Sequence, residues 1–226
     1  MKKQLTVSLF LLICTILADG FTLSAIATPK IAVSRTQPTN IAAEPPALSK
    51  AALTLQDLPS GFTDISESGQ IEALKKQLSE VRGLNVESIF AFQKRDDKPI
   101  QLIIGFAMQL PTQSDRASFD ASIRQGLFAQ EVLSSLNKTE SQFANLTSLP
   151  QSDDIGDVSG GWTTTGKIKD LPTSIDVAVF RRGNLGAFLI TFYFEGDSPS
   201  IAIADAARKL DSRMVELVPP PQNQPQ

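Results

Sequence analysis

Three side chains of this sequence have the chemistry and the position to contact a ligand or partner. Arg181 and Arg182 end an alternating run that begins at Ile175, and Trp162, the only tryptophan of the chain, stands among glycines and threonines. A guanidinium group binds a carboxylate or phosphate through two parallel hydrogen bonds, and a tryptophan ring can line a pocket or stack on a partner. We therefore predict Trp162, Arg181 and Arg182 as contacts to a ligand or partner.

Each of these residues also has a structural interpretation. Arg181 and Arg182 point to opposite faces of their strand, so one of them lies on the side of Val177 and Val179. An arginine there can extend past the end of the sheet or pair internally, for instance with Asp211 of the last predicted helix. Trp162 can equally be a core residue. The sequence leaves these alternatives open.

Two groups of acidic residues lie close together in the sequence, as metal ligands often do. Asp153, Asp154 and Asp157 are close enough in sequence to offer oxygen ligands to Ca²⁺. No calcium-loop pattern of glycine and glutamate accompanies them, which favours a solvated loop. Asp96 and Asp97 are typical of a turn. We therefore predict no metal site.

The composition excludes several classes of catalytic site. The chain has no histidine, and its one cysteine, Cys14, lies in the N-terminal apolar run. Serine–histidine triads, thiol nucleophiles and zinc sites built on histidine or thiolate are therefore ruled out. A formal net charge of −3 argues against nucleic-acid binding. We predict no catalytic residue, no cofactor and no nucleic-acid partner.

The N-terminal residues have the pattern of a secretory signal. Lys2 and Lys3 precede an apolar run from Leu5 to Leu17, and Ala25-Ile26-Ala27 has small residues where a signal peptidase reads them. This pattern predicts a signal peptide over residues 1–27 and export of the remainder. The alternative is an uncleaved anchor helix, which would be the chain's contact with a membrane.

The rest of the chain divides into a spacer, one domain and a tail. Residues 28–50 are rich in proline, alanine and threonine without apolar periodicity, which is typical of a flexible linker. Residues 51–217 suit a single α+β domain with a core of its own. Residues 218–226 are rich in proline and glutamine and are predicted to be a disordered tail.

Hydrophobic periodicity predicts the elements that position the candidate residues. Apolar alternation indicates five principal strands, Val86–Lys94, Ile100–Leu110, Val158–Ile168, Ile175–Arg182 and Leu185–Phe194. Helical stripes indicate three helices, near Ile71–Val81, Thr112–Leu136 and Ile203–Leu217. Mostly short turns join the strands, so the predicted fold is an antiparallel α+β sheet covered by helices, an α/β/α sandwich.

Three local signals sharpen that prediction. Gly183-Asn184 is typical of a two-residue hairpin turn. Thr112 and Asp115 suit a capping box, and Ser198-Pro199 suits the start of the last helix. The strand Leu185–Phe194 is apolar on both faces and needs cover on both. If the helix from Thr112 does not cover the second face, that face is the partner site.

Short motifs resemble those of known exported proteins. Leu58-Pro59-Ser60-Gly61-Phe62, the hairpin Phe180–Asn184 and the helical segment Ala206–Met214 resemble uncharacterised exported proteins of bacteria, notably cyanobacteria. The order of strands and helices is similar to the PsbP-like α/β/α fold, whose members include lumenal accessory proteins of photosystem II and actinobacterial lipoproteins. The resemblance implies a periplasmic or thylakoid-lumen location, and no functional residue of those proteins aligns with this chain.

These observations together favour a module that binds rather than catalyses. The leading hypothesis is a non-enzymatic extracytoplasmic binding or accessory domain, of a kind that can attach to a membrane protein complex such as a photosystem, with an unidentified protein partner or small ligand. One alternative is a small-ligand sensor of the envelope. Another is a hydrolase that uses carboxylates alone, for which the sequence offers no pair of facing acids.

Overall fold

The protein forms one large antiparallel sheet between two helical layers. The structure, a computed structural model, describes residues 48–80, 86–95, 100–137, 141–168 and 170–218. The predicted signal peptide, residues 28–47 of the predicted linker, the turn at Asp96-Asp97 and residues 219–226 lie outside the described residues. The first described residue, Leu48, is buried, so the packed part of the chain begins within the range assigned to the linker.

The sheet has eight strands, three more than predicted. They are β1 (Thr63–Asp64), β2 (Val86–Lys94), β3 (Gln101–Gln109), β4 (Ser141–Phe143), β5 (Thr147–Ser148), β6 (Val158–Ile168), β7 (Leu171–Arg182) and β8 (Leu185–Phe194). The order across the sheet is β1-β2-β3-β8-β7-β6-β4, and β5 also pairs with β6. The five long strands match those predicted. The prediction of about five was wrong in number because β1, β4 and β5 are two or three residues long, too short to show a period.

Four α-helices lie in the described residues: α1 (Gly69–Glu80), α2 (Gln113–Arg124), α3 (Leu127–Asn137) and α4 (Ile203–Val215). The prediction of a single long helix from Thr112 to Leu136 is wrong. The helix is interrupted at Gln125-Gly126, where Gly126 adopts a φ of 67°. The capping box is confirmed, with the Asp115 amide donating to Thr112 Oγ1 at 3.0 Å. None of the helices described has the length and hydrophobicity that a membrane crossing requires.

Both faces of the sheet are covered. One face, called the three-helix face below, packs side chains such as Ile104, Val177 and Ile190 against α1, α2 and α3. The other, the α4 face, packs Phe90, Phe180 and Leu189 against α4 and the described N-terminal segment. The second face of β8 is therefore covered by three helices, and the core is closed there.

The β7–β8 hairpin has the predicted turn at one end of the sheet. Gly183 adopts a φ of 60°, which is the requirement at the first central position of a type II′ turn. Arg182 pairs with Leu185 directly across the turn. This fixed register places Arg181 on the three-helix face and Arg182 on the α4 face.

At the opposite end, the buried amide of Gln101 fixes the segment that leads into α4. Its Nε2 donates to Thr191 Oγ1 and to the Ile201 carbonyl, both at 2.9 Å, and its Oε1 accepts from the Ile201 amide at 3.3 Å. The helix then begins at Ile203 after Ala202, which makes no side-chain cap. The predicted start at Ser198-Pro199 is wrong because residues 198–202 have an irregular conformation, in which Ile201 is bonded to Gln101.

Gly105 provides a test of the packing between the central strands. A Cβ at this position would lie 2.4 Å from the Phe90 ring and 2.9 Å from the Phe188 carbonyl oxygen, whereas nothing lies within 4 Å at Gly69. We expect Gly105→Ala to lower the free energy of unfolding by about 1–3 kcal/mol through overpacking. Gly69→Ala, at the start of α1, should be neutral or stabilising by up to about 1 kcal/mol. Urea unfolding measures both, and equal effects would contradict the packing.

Candidate functional site

The two predicted arginines lie in a cluster of ion pairs at the hairpin end of the sheet. Arg181 donates from Nε and Nη2 to the two carboxylate oxygens of Asp120 on α2, at 2.6 and 3.0 Å. Arg182 donates from Nε to Asp211 Oδ1 on α4 at 2.8 Å, and from Nη2 to the other oxygen. Each arginine therefore binds one helix to its own face of the sheet through a bidentate pair.

Asp157 joins the two pairs. Its Oδ2 accepts from Arg181 Nη1 at 2.9 Å and from the Gly183 amide at 2.8 Å, and its Oδ1 accepts from Arg182 Nη1 at 3.1 Å. The bond to Asp120 is the main cause that raises the pKa of Arg181, and the bond to Asp211 does the same for Arg182. The aspartates occupy the two-donor edge, Nε and Nη2, of each guanidinium group, which is the edge that a ligand carboxylate would bind in the same bidentate way.

Asp211 pairs with an arginine of the hairpin, but not with the arginine beside Val177 and Val179 that the sequence suggested. The partner of Asp211 is Arg182 on the α4 face, whereas Arg181, beside Val177 and Val179, binds Asp120. The role of either arginine as a ligand contact stays a prediction.

Two further arginines of α4 hold other segments. Arg208 donates to the Gln151 carbonyl at 2.6 Å and to Asp154 at 3.0 Å. Arg213 donates to Asp57 at 2.8 Å and to Thr54 Oγ1 at 2.9 Å. Of the acids weighed as calcium ligands, Asp154 and Asp157 are thus bound to arginines, and the described residues contain no grouping of acids suited to a metal ion.

Trp162 lies away from the arginines. It is half-buried on β6 and packs on the three-helix face, where Gly126 and Gly160 are close to its ring. Trp162 pairs with Val177, and Val158 pairs with Arg181. Four residues of strand therefore separate Trp162 from the arginine cluster, about 13 Å. The three predicted contacts do not form one site.

A depression lies at the other end of the sheet, opposite the hairpin. The depression has a volume of about 50 Å³ and is lined by the ends of four strands and the residues next to them. The lining residues are 93–95 near β2, 100–102 near β3, 192–194 of β8 and Thr173 of β7. The lining is mainly apolar, with Leu102 and Phe192 buried and Phe194 half-buried. Lys94 and Arg95 lie at its rim, and Lys94 donates to Ser200 Oγ at 3.1 Å.

A buried carboxylate lies beside this depression on the α4 face. Asp176 of β7 is 6 % exposed and accepts a hydrogen bond at 3.2 Å from Tyr193 Oη, whose side chain also lines the depression. Burial raises the pKa of Asp176, and bonds from Thr163 and Tyr193 offset part of that effect. Burial and the nearby carboxylate raise the pKa of Tyr193 to about 12.

Neither Asp176 nor the depression is among the sites predicted from the sequence. Asp176 shares a face of β7 with Ala178 and Phe180, and that face is buried against α4. A single acid at a core position of a strand was the available signal. The depression had none, because its lining combines four strand ends that are distant in sequence.

Two aspartates of α4, one in a part-buried ion pair and one in an exposed pair, should contribute differently to the free energy of unfolding. Asp211→Asn removes the carboxylate that holds Arg182, with side chains 14 % and 28 % exposed. We expect a loss of about 1–2 kcal/mol in the free energy of unfolding, between the values for exposed and buried charged pairs. Asp205→Asn, 61 % exposed in an i,i+3 pair, should change it by less than about 0.5 kcal/mol. Similar losses for both variants, in denaturant titrations, would contradict this ranking.

Comparison with known proteins adds no relative. No protein-family model, no curated protein sequence and no solved structure matches this chain. The geometry at the two ends of the sheet is therefore the basis for proposing a function.

Proposed function

We propose that this chain is a non-enzymatic binding or accessory module that acts outside the cytoplasm and receives a partner protein at the depression. The proposal includes export by the N-terminal signal and an architecture similar to PsbP-like domains, which would suit attachment to a membrane protein complex. The observation that carries it is the apolar depression at the end of the central strands, in a sandwich whose two faces are otherwise covered.

The size of the depression favours a side chain of a partner protein over a small ligand. Pockets for drug-sized ligands measure about 300–1,000 Å³, whereas this one measures about 50 Å³. That volume suits one apolar side chain inserted from a partner, which is how the central contacts of many protein interfaces are built. The envelope sensor of a small ligand is therefore the weaker alternative.

The position of the depression also supports docking. Val218, the last described residue, lies against Gly183 at the hairpin. Near the other end of the described chain, the Ala51 carbonyl accepts a hydrogen bond from Ser88 of β2. Ser88 lies six residues before Lys94, which lines the depression. Six residues of strand span about 20 Å. These two described segments therefore lie toward the hairpin end, away from the depression.

The alternative function, a carboxylate-dependent hydrolase, needs a buried acid and a second carboxylate that faces it. Asp176 is a buried acid with a raised pKa, as a general acid requires. Its hydrogen-bond partners in the described part of the chain are the hydroxyls of Thr163 and Tyr193. Glycosidic chemistry needs a second carboxylate facing the first, so binding is the function that this geometry favours.

Phe194 and Leu127 give a matched test of the depression. Phe194 lines it, whereas Leu127, 45 % exposed, lies on α3. The tagged protein is used to capture partners from a native envelope or thylakoid extract, and the affinity of the recovered protein is then measured. Phe194→Ser should weaken binding about tenfold or more, as loss of a central apolar contact does. Leu127→Ser should bind as the unchanged protein does.

Thermal unfolding of both variants shows whether they are folded at the temperature of the binding assay. A partner that binds the Phe194 variant as tightly as the unchanged protein would contradict docking at the depression. Failure to recover any partner under several extraction conditions would count against the binding function itself.

A further inference from the structure

Asp176 is a buried acid without a basic partner among the described residues. It is 6 % exposed, and the seven salt bridges of the described chain involve other acids, namely Asp57, Asp120, Asp154, Asp157, Asp205 and Asp211. An ionised carboxylate in such a position loses hydration that no cation of the described residues replaces. A proton on Asp176 removes that cost.

The groups around Asp176 are polar and uncharged at neutral pH. Thr163 lies opposite on β6 and Thr191 opposite on β8, and Tyr193 of β8 is the titratable group that contacts it. The charged side chains of α4, which packs on the same strand, bind elsewhere. Arg208 pairs with Asp205 and Asp154, Asp211 pairs with Arg182, and Arg213 pairs with Asp57. Lys209 and Glu216 are exposed.

We propose that Asp176 is a proton-binding site that stabilises the folded domain on mild acidification. Two donors, Thr163 and Tyr193, favour the ionised form, but burial outweighs them and raises the carboxyl pKa above its ordinary value of 3.8. Between those two pKa values the folded chain holds a proton that the unfolded chain releases. Stability therefore rises as the pH falls through the folded pKa toward 3.8, and it is lost as the pH rises through the same range.

Other acids set the lower limit of this range. The pKa of Asp115 is lowered by its bonds to Thr112. At Asp57 burial acts to raise the pKa, but the bonds from Thr54 and Arg213 lower it overall. A depressed carboxyl stabilises the fold above its unfolded pKa and loses that contribution as the pH falls through its folded value. The gain from Asp176 therefore acts between 3.8 and its raised pKa, and the loss from these other acids begins below 3.8.

The test compares the pH dependence of unfolding in the unchanged protein and in Asp176→Asn. Fluorescence of Trp162, the only tryptophan, follows unfolding from about pH 4 to about pH 8, a range that brackets a raised carboxyl pKa. The asparagine variant should be the more stable of the two at the upper end, and the difference should disappear toward pH 4. The gain in the folding equilibrium is tenfold for each unit by which the Asp176 pKa exceeds 3.8.

Two further variants separate a proton site from general destabilisation. Tyr193→Phe removes a donor to the carboxylate, so it should move the pH dependence to higher pH. Asp205→Asn, on an exposed acid, should keep the profile of the unchanged protein. An asparagine variant whose stability follows that of the unchanged protein at every pH would overturn the proposal.

If Asp176→Asn does not fold, the unchanged protein still decides the question. Its aspartate carboxyl carbons are followed by NMR through the same pH range. Titration of Asp176 well above 3.8 supports the proposal, and titration at or below that value refutes it.

Discussion

The packing of α4 against the sheet is the interaction on which the rest of the structure depends. The central strands are apolar on both faces, so neither face can be left in water. The apolar side of α4 buries Ala206, Ala207, Leu210 and Met214 on one of them. Its charged side binds three segments that are distant in sequence, through Arg208, Asp211 and Arg213. One helix thereby closes a face of the core and also fixes the loop before β6, the β7–β8 hairpin and the turn at Thr54.

The two ends of the sheet differ because their polar groups are satisfied differently. At the hairpin end, two arginines form ion pairs with three aspartates around Gly183, so both predicted arginines have internal partners. At the other end, Gln101 satisfies the backbone of Ile201, but an apolar depression stays open beside it. Ion pairs thus occupy the hairpin end of the sheet, whereas the other end has apolar surface. The apolar end is the better suited to bind a partner.

The sequence predicted those parts of the fold that have a period. β2, β6 and β8 begin and end where the alternation does, because alternation extends through nine or more residues. The break at Gly126 was missed because apolar stripes continue on both sides of it. The apolar stripe of α4 begins at the observed start, Ile203, whereas the capping signal at Ser198-Pro199 was wrong because Gln101, about one hundred residues away, fixes the preceding segment.

The candidate site was less predictable because long-range contacts determine it. Arg181 meets Asp120 across 61 residues, and nothing local to either residue indicates that pair. The sequence did indicate that Arg181 and Arg182 lie on opposite faces, which the register of the hairpin confirms. It gave no indication of the depression, whose lining joins the ends of four strands.

The central claim is that a partner binds at the depression and that the arginine cluster is structural. Hydrogen–deuterium exchange of the chain with and without its captured partner tests this claim directly. The account predicts slower exchange on binding at residues 93–95, 100–102 and 192–194, with residues 181–184 unchanged. Slower exchange confined to residues 181–184 or to the strand around Trp162 would contradict it.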